Sequence, residues 1–108
     1  MPLAAVLADA RAVADHTGAV VAAPDEWLAA HGVAHWAGPR SLPLWLPREL
    51  AGHWSRSNAA YRILGGRLRP LRETLARTLA DERSRGLDRE RRSGLSRADE
   101  LELLAGLT

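Results

Sequence analysis

Residues 41–47 read SLPLWLP, an apolar run with a tryptophan at its centre and three leucines around it. Prolines 43 and 47 fix their own φ and bias Leu42 and Leu46 toward extended backbone, so the run is neither the interior of a helix nor a regular strand. It lies within residues 33–55, which carry three of the six prolines and no sustained periodicity. An irregular segment of that length exceeds ordinary connections and is often functional. The fold is therefore read as helices on either side of a stiffened loop that presents Trp45.

Upstream, Leu3, Val6, Leu7, Ala10, Val13 and Ala14 recur at helical spacing, with Pro2 suited to the start and Gly18 to the stop, which predicts a helix over about 2–16. AVVAA at 19–23 reads as a short strand. Pro24-Asp25-Glu26-Trp27-Leu28 reads as a helix start capped by Asp25, with Gly32 as its end. Downstream, Ser57 is placed to cap a helix to about Leu64 that Gly65-Gly66 terminates, and Arg67–Pro70 is an extended connector. Leu71, Leu75 and Leu79 form a stripe on a helix over about 71–85, whose exposed face offers the pairs Glu73/Arg77, Arg77/Asp81 and Asp81/Arg85. Residues 87–95 read as a polar linker. Ser96-Arg97-Ala98-Asp99 is a capping box with aspartate in the place of glutamate, opening a last helix with Leu101, Leu104 and Leu107 inward. The expected fold class is α+β and mostly helical, a single subdomain over 1–108 with short strands near 19–23, 53–56 and 67–69.

At 108 residues the chain has room for a modest core. All fifteen basic residues are arginine, and phenylalanine and cysteine are absent, a composition typical of high-GC bacterial coding. The pI near 10.3 reflects arginine's high pKa, because the formal net charge is only +2. No thiolate site or disulfide is available. The N-terminal stretch lacks the basic start of a secretory signal and no apolar run reaches the ~20 residues of a membrane span, so no membrane partner and a cytoplasmic location are expected.

Candidate chemistry is sparse. His31 and His35, with Asp25, Glu26 and His53 as conceivable co-ligands, have i, i+4 spacing, but Gly32 and Val33 interrupt the helix that a metal pair would need; loop histidines and no metal site are expected. Arg67, Arg69 and Arg72 suit either a phosphate or the solvated flank of a capped turn. RERR at 89–92 adjoins acidic residues and reads as solvated linker rather than a nucleic-acid contact. Gly65-Gly66 follows a helix rather than a strand, so no phosphate loop is formed. Tyr61 is the one tyrosine, Gly65 stands four residues after it, and there is no lysine. The tryptophans at 27, 36, 45 and 54 are nine apart, yet their flanks do not repeat.

The order of these elements resembles the C-terminal part of bacterial NAD-dependent epimerase/dehydratase proteins of the extended short-chain dehydrogenase/reductase superfamily. The likeness covers about residues 3–107. It is carried by Trp27-Leu28 leading into His31-Gly32-Val33, by Leu42–Pro47, and by Gly65, Arg67, Arg69, Pro70 and Leu71 with Leu68 in the place of phenylalanine. Glu73, Thr74, Thr78, Leu79 and Ala80 continue it, and GLSRADELELLAGL closes it. Arg77, Asp81 and Ala59-Ala60 depart from the family's aspartate, tryptophan and serine-arginine.

The resemblance implies a substrate-binding subdomain without the Rossmann domain that carries the NAD(P) loop and the tyrosine-lysine pair. No cofactor is then bound by this chain alone, and the chain alone is inactive, although its parent family comprises NAD(P)-dependent enzymes. Leu44, Trp45, Leu46 and Trp36 are the implied substrate contacts, although a core-covering role suits Trp45 equally. The implied partners are a Rossmann domain in cis or trans, or a second copy, and a small-molecule substrate. The alternative is a small independent interaction module, with arginine-mediated nucleic-acid binding as its less favoured form.

Overall fold

The computed structural model describes residues 2–108 as a small α+β protein, about half helical, with one two-stranded sheet. Proline marks the helix starts. Pro2 precedes α1 (Leu3–Val13), Pro24 precedes α2 (Asp25–Ala30), Pro47 precedes a 3-10 helix (Arg48–Trp54) and Pro70 precedes α4 (Leu71–Arg85). Each holds φ between −65° and −55° and ψ between 137° and 149°, the extended conformation that a residue before a first turn adopts. The short α3 (Ala59–Ile63) and α5 (Arg97–Leu107) complete the helices. The capping box forms as expected: Ser96 Oγ accepts from the Asp99 N–H at 3.0 Å and the Asp99 carboxylate accepts from the Ser96 N–H at 3.2 Å.

Several local expectations are corrected. Residues 19–23 and 67–69 are extended but have no ladder partner, and 53–56 lies at the end of the 3-10 helix; none is a strand. The strands are β1 (Ala34–His35) and β2 (Ser41–Leu42), inside the segment read as irregular, and they pair parallel in the register Ala34 to Ser41 and His35 to Leu42. The helix expected to run to about Leu64 does form, as Ala59–Ile63 with Leu64 as its C-cap; its N-cap is Asn58 rather than Ser57, whose Oγ accepts from the Ala59 N–H at 3.1 Å. Asp25 caps nothing, because its carboxylate is engaged by Trp45 and Arg48. On α5 the buried leucine is Leu103, with Leu104 and Leu107 half-buried and Leu101 exposed.

Contacts group the chain into two units, residues up to Ala19 with Ser57–Arg89, and Val20–Arg56 with Glu90–Thr108. In the first, α1 packs on α4 through Val6, Ala10 and Val13 of the one and the Leu71, Leu75, Leu79 stripe of the other, all half-buried. An Arg72–Asp9 ion pair at 2.8 Å joins the two helices. The α4 surface carries Arg77–Glu73 at 2.7 Å and Arg85–Asp81 at 2.9 Å, two of the expected i, i+4 pairs. Arg89 forks onto Glu82 at 2.9 and 2.8 Å and donates to the Gly86 carbonyl, tying down the end of α4. No described side chain of this unit is buried, and Ile63 and Leu64 are 82% and 87% exposed.

The second unit holds the core: Leu28 of α2, Val33 and Leu103 of α5, with Ala23, Trp27, Leu42, Trp45 and Leu95 packed around them. Trp27 lies over Gly106, where an added Cβ would stand 3.1 Å from the indole. Arg40 fastens the periphery. Its Nε and one terminal nitrogen donate to the His31 carbonyl at the end of α2 (3.1 and 2.9 Å), and its other terminal nitrogen reaches Asp99 at 2.9 Å and Glu102 at 3.2 Å on α5. Beside it Ser41, with no exposed surface, donates to the Gly38 carbonyl at 2.6 Å and accepts from the Gly94 N–H at 3.0 Å. Gly38 and Gly94 also bond to each other, and Gly38 N–H donates to Ser93 Oγ. The stretch 87–95 is thus pinned to the β1–β2 loop.

The whole chain exposes 8655 Å². Two wholly separate compact bodies of half its mass would together expose roughly 7,100 Å². Large apolar side chains, Ile63, Leu64 and Leu68 among them, contribute to that exposed area.

Two outcomes are expected. Ser41→Ala leaves the Gly38 carbonyl and Gly94 N–H short of a buried partner and lowers unfolding stability by about 1–3 kcal/mol, with faster hydrogen exchange at Gly94 as the local readout. Asp99 is held below the ordinary carboxylate range, first by the hydrogen bonds from the Ser96 side chain and backbone and then by Arg40. A depressed folded pKa means a contribution that is complete above the unfolded value near ~3.9 and is lost as pH falls through the folded value. Acid titration of tryptophan emission should show that loss below the ordinary range, and Asp99→Asn should abolish it.

Candidate functional site

The route from β1 to β2 takes only residues 36–40, far fewer than a parallel connection usually requires. Three of the five adopt left-handed backbone: Trp36 at φ 67°, Gly38 at 90° and Arg40 at 51°. Glycine enters that region freely, but a bulky residue there is strained. Trp36 is held by its N–H donating to the Leu42 carbonyl at 3.1 Å, and Ala34 N–H donates to the Arg40 carbonyl at 2.8 Å. The turn projects the Trp36 ring outward, 48% exposed.

There the ring joins a recess of about 480 Å³ lined by His35, Trp36, Leu46, Pro47, Leu50 and His53. The proline loop supplies Leu46 and Pro47, and the 3-10 helix supplies Leu50 and His53. Seven residues is long for a 3-10 helix, and every one of these is exposed, so the wall is a surface feature rather than part of the core. Trp36 meets His53 edge-on with centroids 5.8 Å apart and an interplanar angle of 83°, and Trp54 at 5.8 Å and 41°. His53 and Trp54 make a second edge contact at 5.1 Å. The aromatic group braces itself in the edge-to-face and tilted geometries that ring quadrupoles favour.

Of the four residues assigned to substrate contact, Trp36 and Leu46 line this recess and Leu44 and Trp45 do not. Leu44 is half exposed on the loop. Trp45 is half-buried against the core, lies tilted against His35 at 3.8 Å and donates its indole N–H to Asp25 at 3.0 Å. Its surroundings are those of a residue fastening the loop to α2. Leu50 is not singled out by the sequence reading, and His53 is considered there only as a conceivable metal co-ligand, not as part of an apolar wall. Glu49, Leu50 and His53 follow Pro47 at plausible helical spacing, but the run was assigned to the irregular segment.

The three histidines considered as metal ligands each meet a tryptophan: His31 stacks on Trp27 at 3.8 Å with its Nδ1 2.8 Å from the Trp27 carbonyl, His35 lies tilted against Trp45, and His53 meets Trp36 and Trp54 edge-on. Among the described residues no three His, Asp or Glu side chains converge to hold a metal. A second recess of about 390 Å³ at the end of α1, lined by Ala8, Arg11, Ala12, Asp15, His16 and Thr17, has no comparable aromatic wall. Tyr61 donates its hydroxyl to the Arg67 carbonyl at 3.2 Å, and its ring lies where a Cβ on Gly66 would be. Tyr61 thereby covers Gly66, while Gly65 is exposed with open space around it. No helix is long and apolar enough to cross a membrane.

Comparison with protein-family models, with curated proteins and with solved structures finds no match.

The two tryptophans of the loop region should respond oppositely to replacement. Trp45→Ala removes core packing and leaves Asp25 without its indole donor, for a loss of about 2–4 kcal/mol. Trp36→Gly gives up ring contacts but relieves left-handed strain, and should stay within about 1 kcal/mol of the parent. Urea unfolding of the two variants checks both.

Proposed function

We propose that this chain is the C-terminal substrate-binding part of an NAD(P)-dependent epimerase/dehydratase or reductase-like protein of the extended short-chain dehydrogenase/reductase superfamily, acting with a Rossmann domain joined in cis or met in trans. The observation that carries this reading is the recess. Trp36 and Leu46, two residues assigned to substrate contact from the resemblance, converge there with Pro47 on a concave, almost wholly apolar surface of a size that suits a small molecule.

The chain's own residues do not fit the dinucleotide. Pyrophosphate binding in Rossmann folds uses a glycine-rich turn between a strand and a helix N-terminus. Gly65-Gly66 follows α3 rather than a strand and leads into an unpaired connector, with the Tyr61 ring against Gly66. The nicotinamide cofactor would supply hydride chemistry on the partner domain. The part played by this chain is to seat the substrate against Trp36 and Leu46 and to keep water from the reacting face. Tyr61, with its hydroxyl turned to a backbone carbonyl and no lysine in the chain, takes no acid-base role. The large exposed surface, including Ile63 and Leu64, supports a chain that works against a partner.

The test translates the reading frames upstream of this chain and pairs it with the Rossmann domain expected there; unrelated upstream sequence would favour an independent module. NADPH fluorescence titrated with this chain alone should show no saturable change. The two polypeptides together should co-elute and bind the cofactor. Saturable micromolar binding by the chain alone would overturn the reading, and failure to pair would favour an independent module.

A further inference from the structure

We infer that the recess takes a neutral, planar, apolar ring, so that the substrate class served here is an aromatic or hydrophobic carbonyl compound rather than a sugar or a phosphate ester. The word substrate rests on the proposed function; the binding preference rests on the recess itself. A volume of about 480 Å³ is enough for a bicyclic ring system. Trp36 offers a half-exposed indole whose tilt is set by His53 and Trp54, so a flat partner meets a wall that is already ordered. Leu46, Pro47 and Leu50 complete an aliphatic floor.

Charge and hydrogen-bonding capacity separate the ligand classes. No arginine, aspartate or glutamate lines the recess. Two arginines adjoining the lining segments in sequence are paired elsewhere: Arg40 with Asp99, Glu102 and the His31 carbonyl, and Arg48 with Asp25 at 3.6 Å. A phosphate would enter without a guanidinium to meet it. A hexose would bring several hydroxyls to a wall whose only polar side chains are two imidazoles, one of them tilted against Trp45. Hydroxyls buried without partners oppose binding, whereas a neutral ring has none to satisfy. A single carbonyl oxygen on such a ring needs one donor, and the His53 ring lies on the wall to provide it.

The experiment titrates the full chain, labelled with nitrogen-15, with 2-acetonaphthone, methyl β-glucoside and glucose 1-phosphate, following the indole N–H signals. Acetonaphthone should produce saturable shifts centred on Trp36. Trp36→Gly and Leu50→Ser should each weaken it at least ten-fold while the amide spectrum remains that of a folded chain; Leu50 is exposed, so its replacement leaves the core intact. An Ile63→Ser/Leu64→Ser double variant, altering the apolar surface of the other unit, should leave the affinity unchanged. The inference is overturned if the glucoside or the phosphate ester binds as tightly as the ketone, if the ketone does not saturate, or if its binding survives both recess variants or disappears with the Ile63/Leu64 pair. Cofactor and partner domain do not enter this readout, so its failure leaves the proposed function standing, and failure to pair leaves the recess preference standing.

Discussion

The Arg40 guanidinium, shared among one carbonyl and two carboxylates, is the constraint on which the second unit depends. It ties the end of α2 to α5 and fixes the last residue of the β1–β2 turn between them. Glu102 and then Asp99 hold it still more firmly protonated than an ordinary arginine, so it remains a cation at every pH at which the protein is folded. Lysine, a point charge with no planar fork, would not reproduce these simultaneous contacts. Ser41 carries the arrangement inward. With three apolar side chains buried among the described residues, a unit of this size relies on such polar ties more than a larger core would.

The recess depends on the same tie. A five-residue parallel connection exists because Trp36, Gly38 and Arg40 all turn left-handed. Two of these are side-chain-bearing residues for which that conformation is costly. Arg40 is held in it by the clamp, and Trp36 by backbone bonds to a strand that the clamp positions. Strain in the turn is thus offset by ion pairs and hydrogen bonds on the far side of the strand, and its consequence is an aromatic ring directed away from the core.

How much of this was legible in the sequence follows from how local each signal is. The capping box at Ser96, the Leu71, Leu75, Leu79 stripe and the prolines ahead of helices are decided within a few residues, and they emerge as read. Strands at 19–23 and 67–69 were inferred from composition, but a strand needs a partner, and neither run finds one. The real pair, Ala34–His35 with Ser41–Leu42, is too short to show alternation and is set by Arg40 and Gly94, which are remote in sequence from each other. The site divides in the same way. Proline and tryptophan marked the loop, but which side of it faces the core depends on Asp25 receiving the Trp45 indole, twenty residues away. The regular spacing of the tryptophans reflects no repeat, because the four occupy a helix, a left-handed turn, a proline loop and the end of a 3-10 helix.

The two units differ in what they do with apolar surface. The second buries its best hydrophobic residues around Leu28, Val33 and Leu103 and leaves a concave aromatic wall outside; the first buries no side chain fully and leaves Ile63 and Leu64 almost bare on a five-residue helix. A concave wall braced by its own ring contacts has the form of a ligand surface, since its shape exists before anything binds. A short helix displaying adjacent aliphatic side chains has no such internal bracing, and gains order only by being covered. From Ser57 to Arg72 the chain has four arginines and no acidic residue. A second copy presenting the same face would bring like charges together, so the covering surface that suits it is a different and acidic one.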